Sequence, residues 1–387
     1  MAEGRSPAAN DVLESLNKRA ATCPTHLTRQ GAAPYSSYYP SMYTGAKNGK
    51  PGTGKGGALV PAAGDTAHAY TAPGPRDIRG PCPGLNALAN HNFISHDGIT
   101  TYTEMVDAAQ NVYNWKYDLA SFVATFGIIQ DGNILTQVLS IGCFGGLSVP
   151  DTGLNTHNKF EADASMARTD YALSPSGDAY TVNGTLFGQL VDDCQSSDYS
   201  LDCMGKFNQR RFNQSLSTNG DFFNGPLAFF TLGTCQLPLN SFANFASGSP
   251  NPTKDTISSF WGTTQNADGT WTYNRNESIP EYWYNRPEAY AFGTIIDQIF
   301  SSYQTYPAPL GGNTGAPNTF AGLNYPGFVQ DGALTNATPE GVACLLLNLV
   351  TFGLPTSLTQ MLQVTAKQAG FATGKLGSLL SEFECAS

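Results

Sequence analysis

Charge is scarce in this 387-residue sequence. Asp, Glu, Lys and Arg together supply 13% of it, about half of the ~25% usual in soluble domains. Basic residues are the scarcest, 20 Lys and Arg against 30 Asp and Glu, for a formal net charge of −10. So few cations cannot blanket a phosphate backbone, and no nucleic-acid partner is expected. Long apolar runs are missing too. The longest, Val342 to Leu354, is interrupted by Asn348 and Thr351, and it falls short of the ~18–20 residues that a membrane span needs. Strand-type alternation is nearly absent. What the chain does have is Gly (41), Pro (24) and aromatics (11%), the composition of an acidic, aromatic-rich globular protein.

Eight cysteines and four N-x-[ST] sequons, at Asn183, Asn213, Asn276 and Asn336, point to an oxidising compartment. Cys194 and Cys203 stand nine residues apart in a polar loop, as a disulfide pair would. Met1–Ala21 is acidic and polar and does not read as a signal peptide. The expectation is a secreted protein whose leader has been removed, with a start Met placed on the mature or pro-form. Lys18-Arg19 is then a pro-segment cleavage site, ending a pro-segment at about residue 19, or two ordinary surface charges.

Residues 1–70 read as an irregular extension. Within Ala32–Gly57 a tyrosine cluster precedes a glycine-lysine stretch without apolar period. Gly49–Gly56 nearly matches a phosphate-binding loop, but Gly56 stands where the Ser/Thr belongs and no apolar strand precedes it, so it reads as a flexible loop. From Pro81 to Leu239 the period becomes helical. Thr101 and Glu104 form a capping box before Met105, Val106, Ala109, Val112 and Tyr113. Leu119, Phe122, Val123 and Phe126 make a second helix, Ile134–Ile141 a third, and Leu186, Phe187, Leu190 and Val191 a fourth. Residues 240–337 look loop-dominated. Residues 338–387 read as a helical hairpin, its first helix opened by Thr338-Pro339-Glu340 and its second spanning Ser357–Ala372. The fold class is mostly α, a single domain over 71–387.

Chemistry concentrates in Asp77–Gly98. Pro81 and Pro83 clamp Cys82 on both sides, and Gly84–Asn90 can begin a helix just after it. A sulfur at a helix N-terminus sees unpaired N–H groups, which lower its pKa and favour thiolate. That suits a metal-ligating or nucleophilic sulfur; a buried structural cysteine is the plainer alternative. No second Cys or His lies at ligand spacing, and His91 and His96 face different ways, which disfavours zinc.

The blocks DIRGPCPGLNALANH (Asp77–His91), DGI (Asp97–Ile99), QDGNILTQVLSIG (Gln130–Gly142), LNTHNKFEADASMARTD (Leu154–Asp170) and TLFGQLVD (Thr185–Asp192) follow one another in an order and spacing that resembles a known family. It is that of the fungal haem-thiolate peroxidases, chloroperoxidase and the unspecific peroxygenases, in their long form. The resemblance covers roughly residues 70–240, with a weaker match to the C-terminus. It implies a haem-binding helical domain, haem b as cofactor and Cys82 as its axial ligand, whose thiolate favours O–O cleavage of a peroxide. It further implies that Glu161, the Ala162 carbonyl and Ser165 hold Mg²⁺ or Mn²⁺ beside a haem propionate. Glu161 and Ser165 are spaced to share one helical turn, and hard oxygen donors suit Mg²⁺. Trp115, Phe160 and Leu237 match substrate-facing positions, with Phe122, Ala124 and Thr231 as further wall residues, although each aromatic read alone is plain core. Cys344 and Cys385 match a C-terminal disulfide of the long members; Cys23 and Cys143 stay unassigned.

The chain departs from this pattern at the distal acid–base pair. Long peroxygenases carry an Arg and, seven residues later, a Glu; here those positions hold Ala228 and Cys235. Chloroperoxidase-type members use a His at the position of Ala162, so that substitute is missing as well. Cys235 is then a thiol over the haem, a half-cystine or an apolar core residue. The implied function is peroxide-dependent oxidation or oxygenation of a small organic substrate. The alternatives are a haem-thiolate protein with other chemistry in a biosynthetic step, or a decayed enzyme that binds haem or ligand.

Overall fold

The computed structural model describes residues 23–35, 44–144, 152–159, 161–194, 199–248, 250–351 and 365–385; of Ala228, 230–234 and Ser247 it describes the backbone alone. Ten α-helices carry these residues: α1 Pro83–Asn90, α2 Tyr102–Tyr113, α3 Tyr117–Asp131, α4 Gly184–Asp193, α5 Leu201–Thr218, α6 Ala228–Ser241, α7 Lys254–Trp261, α8 Phe292–Thr305, α9 Pro339–Thr351 and α10 Ala366–Glu382. The mostly α expectation holds, in a single domain. α3 is apolar all round, as a central helix must be. Its Ala120 and Ala124 enter one hydrophobic cluster with α1, α2 and α7, while Leu119, Phe122 and Phe126 enter a second with α8, α9 and α10. None of the helices is long and apolar enough to cross a membrane, among the described residues.

Several local expectations are corrected. Ile134–Ile141 is not a helix. The Asn133 side chain accepts the N–H groups of Leu135 and Thr136, and Gln137 has φ +54°; both break a helical path. Val138–Ser140 (β2) then pairs antiparallel with Ile99–Thr101 (β1). The capping box at α2 is half made: Thr101 Oγ1 accepts the Glu104 N–H at 3.2 Å. The Glu104 carboxylate turns instead to Thr100, Ser95, Ala32 and Arg29. Residues 240–337 include α7 and α8 as well as short strands. Of these, β4 (Thr263–Gln265) and β5 (Trp271–Tyr273) form a hairpin, while 311–312 pairs with the earlier β3 (Phe223–Asn224). The last helix begins at Ala366 with Thr365 and Gln368 in a capping box, and 357–364 lie outside the described residues.

The glycine-lysine stretch is a strap, not a loose loop. One polar face of α2, Asp107, Gln110, Asn111 and Asn114, accepts from or donates to Gly49, Gly52, Ala46 and Gly54 of the strap at 2.9–3.1 Å. Glycine is required at 56, where a Cβ would stand 1.9 Å from the Arg286 carbonyl oxygen. Cys23 bonds to Cys143, so the segment before the strap is tied to the end of β2; Cys194–Cys203 and Cys344–Cys385 pair as expected.

His91, just past α1, is buried. It faces the His68 carbonyl through Nδ1 at 2.9 Å and accepts the Ile279 N–H on Nε2 at 3.1 Å. Those partners require the neutral imidazole, and burial pulls its pKa down to about 4. The fold therefore keeps this contribution in full above the ordinary histidine range and loses it as pH falls through 6.5 towards 4. At ~1.4 kcal/mol per pKa unit, about 3 kcal/mol is at stake. Unfolding followed between pH 7 and 4 should show a steeper loss for the parent than for His91→Asn; equal slopes would contradict the assignment.

Candidate active site

Cys82 is the N-cap residue of α1. Pro83 supplies the first helical position, and the sulfur accepts the Leu85 N–H at 3.4 Å. The Pro81-Cys82-Pro83 clamp thus does what the sequence reading assigns it. The acidity does not follow. Burial pushes the thiol up, outweighing the helix N–H groups and the Arg168 charge that favour thiolate. The helix end and Arg168 alone do not hold the sulfur as thiolate in this environment.

The sulfur opens onto a cavity. The walls are apolar, with Leu88 from α1, Met105 and Ala109 from α2, Val123 and Ala124 from α3, Phe242 just past α6 and Trp261 from α7. Trp115 and Leu237 lie on this wall, and Trp115 Nε1 donates to Ser241 Oγ at 2.9 Å. Phe122 does not reach it. The turn of α3 that presents Ala120, Val123, Ala124 and Gly127 to the cavity carries Phe122 to the opposite side, against Phe292 at 4.7 Å between ring centroids. Phe160 lies outside the described residues, and Thr231 and Ala228 lie in α6 where the backbone alone is described.

Polar groups gather at one part of the wall. Glu161, Ser165 and Arg168 all line the cavity. The segment Glu161–Ser165 is a chain of turns with Ala164 at φ +58°, not the helical turn that its spacing suggests. It is pinned from behind. Arg211 donates to the Ser165 carbonyl at 2.9 Å and to Asp170 at 3.2 Å, and Asn219 donates to Asp163 and Asp170. Burial, with the Asp170 charge, pushes Asp163 up to about 7. One Glu161 oxygen pairs with His157 Nδ1 at 2.7 Å; the other is buried without a partner. Burial would lower His157, but the bond to Glu161 and the charges of Asp163 and Asp170 raise it. Among the described residues no group of three His, Cys, Asp or Glu forms a metal site, so a cation here would rest on one carboxylate, a hydroxyl and a carbonyl.

Arg168 was not singled out from the sequence, although it lies in the Leu154–Asp170 block. It is buried, donates to the Tyr180 carbonyl at 2.9 Å, and its charge reaches both Cys82 and Glu161. A buried cation needs an anionic partner, which is the signal that a sequence scan can use. Cys235 sits elsewhere. It is fully buried, absent from the cavity wall, and its S–H donates to Asn208 Oδ1 at 3.4 Å, so it is neither a half-cystine nor a thiol facing this space.

A sulfur on one wall, apolar sides, and a buried guanidinium beside it fit a flat apolar macrocycle that ends in carboxylates. The comparisons agree. The profile of "Peroxidase, family 2" matches residues 68–288. The dothistromin biosynthesis peroxidase dotB of Dothistroma septosporum is 32% identical over 347 residues, 84% of this chain and 82% of that one. The aromatic peroxidase fscJ of Fusarium equiseti is 30% identical over 80% of this chain and 76% of its own. An aromatic peroxygenase of Coprinellus radians is 38% identical over 46% and 72%. The chain belongs to peroxidase family 2, the fungal haem-thiolate peroxidases and peroxygenases, and is a peroxide-dependent oxidoreductase of that type.

Proposed function

We propose that the cavity holds haem b with Cys82 as axial ligand, and that the protein uses peroxide to oxidise or oxygenate a small, largely apolar aromatic molecule. The observation that carries this is the Cys82 sulfur at the edge of the apolar cavity. When bound, the haem supplies the iron at which a peroxide is cleaved, and a thiolate ligand favours that cleavage. The chain's own contributions are distinct. Arg168 would offset the anionic charge of the sulfur and of a haem carboxylate. Trp115, locked by Ser241, and Leu237 shape the apolar volume that orients a substrate and excludes water. The relatives named as aromatic peroxidase or peroxygenase support an aromatic substrate.

Glu161, through its unpartnered oxygen, the Ala162 carbonyl and Ser165 would hold Mg²⁺ or Mn²⁺; hard oxygen donors fit such an ion. Fast proton transfer is less well provided for. Among the lining residues Glu161 is the one carboxylate, and His157 engages it. With Ala228 and Cys235 in place of the family's Arg and Glu, the ~10²–10⁴ that general acid–base help contributes is not built in. Haem-loaded protein given peroxide and an aromatic substrate should turn over slowly but repeatedly; bleaching without product would overturn the peroxygenase reading and leave the non-peroxygenase alternative.

Three disulfides among the described residues support secretion. Asn213, Asn276 and Asn336 are exposed. Asn183 is committed: its Oδ1 caps α4 at the Thr185 and Leu186 N–H groups and its Nδ2 donates to Thr169. Peptide mapping of the secreted protein should find glycans at the three exposed sites and none at Asn183, while Asn183→Ala costs about 1 kcal/mol as a lost cap.

A further inference from the structure

Glu277 stands 195 positions beyond Cys82 in the chain, yet it belongs to the same cluster. It is 1% exposed. One carboxylate oxygen accepts from Asn86 Nδ2 at 2.7 Å and from the Tyr273 hydroxyl at 2.8 Å; the other is buried without a partner. Its main-chain oxygen accepts from Asn90 at 2.8 Å. Asn86 in turn closes the turn that presents the sulfur, accepting the Gly80 N–H at 3.0 Å and donating to the Gly80 carbonyl at 2.9 Å. The neighbours of Glu277 reinforce this. Arg275 donates to the Asp77 carbonyl, and the Ile279 N–H donates to His91. The strand-to-loop segment 273–279 therefore clasps 77–91 along its whole length.

Burying a carboxylate with one oxygen unpaired is costly, and a brace alone could be built from neutral amides. The charge itself needs a use. Two buried cations, Arg79 and Arg168, lie within its electrostatic reach, and so does the Cys82 sulfur. We propose that Glu277 is a positioning residue for the axial sulfur: through Asn86 it fixes the Gly80–Cys82 turn, and its negative charge, set against the positive charge of Arg168, tunes how strongly the sulfur donates to iron. The inference rests on Cys82 being the iron ligand. Partners outside the ligand itself set ligand orientation and basicity at metal centres, and charge near a haem ligand sets its potential.

The test uses the haem-loaded full chain. The parent's ferrous–CO spectrum reads the ligand assignment by itself; absence of the sulfur-ligated band there ends both the assignment and this inference. Given that band, Glu277→Gln keeps size and an acceptor oxygen but removes the charge, and the reduction potential should rise. Arg168→Gln removes the opposing charge, and the potential should fall. Glu277→Ala also removes the brace, so a fraction of its CO complex should lose the sulfur-ligated band; Asn86→Ser should do the same if Glu277→Ala does not fold. A residue with a merely structural role would lower the unfolding temperature in these variants and leave the potential where it is. Unchanged potentials in both glutamine variants, or shifts of the same sign, overturn the proposal.

Discussion

Cys82→Ala, purified with haem supplied, is expected to lack the red-shifted ferrous–CO band of sulfur-ligated iron, and its peroxide-dependent turnover should fall to background. The cavity offers no replacement ligand, because no other cysteine and no histidine is among its lining residues. His91, the histidine nearest in sequence, is engaged on both ring nitrogens. The fold should survive. The mutation removes one N-cap acceptor, worth about 1 kcal/mol or less for a weak sulfur acceptor, while Pro83 and the Asn86 and Glu277 clasp stay in place. Loss of the spectrum without loss of thermal stability is thus the expected signature. A retained band would show that another sulfur reaches the iron and would refute the ligand assignment.

How much of this was legible in the sequence follows from the range over which each feature is determined. The Cys82 N-cap is local: two prolines and a glycine fix the backbone within four residues, so the motif and the structure agree. Helices α2 and α9 are announced by apolar periods with caps, and α3 and α4 by concentrated apolar residues, for the same reason. Ile134–Ile141 misled because five apolar residues in eight suit either a short helix or a strand; pairing with β1, about 40 positions earlier, decided it. The glycine-lysine stretch read as a flexible loop, since nothing local shows that it covers the polar face of α2. Phe122 failed as a wall residue for a related reason. On a helix that is apolar on every side, sequence gives no angle, and the two flanking clusters alone decide which residue meets the cavity. Glu277 was out of reach entirely, its role being defined by contacts some 190 residues away.

The distal positions give the sharpest remaining test. On the family pattern, Cys235→Glu with Ala228→Arg would restore a proton relay. The geometry of α6 predicts otherwise. At 100° per residue, the cavity-lining Leu237, Pro238 and Ser241 share a direction about a third of a turn from Cys235, which packs against α5 through Asn208. Burial pushes the Cys235 thiol up to about 12, so this niche already rejects an anion. A glutamate there would be buried facing an amide oxygen, with no cation beside it among the described residues. The cost should be roughly 3–5 kcal/mol, the range for an uncompensated buried charge, and peroxide turnover should not improve. A carboxyl at Leu237, by contrast, stands on the cavity wall, and Leu237→Glu should raise the rate of peroxide consumption, towards the ~10² that a general acid–base can contribute. Stopped-flow mixing with peroxide and thermal unfolding on both variants separate the cases. If Cys235→Glu folds normally and speeds peroxide cleavage while Leu237→Glu does not, α6 presents residue 235, not Leu237, to the haem.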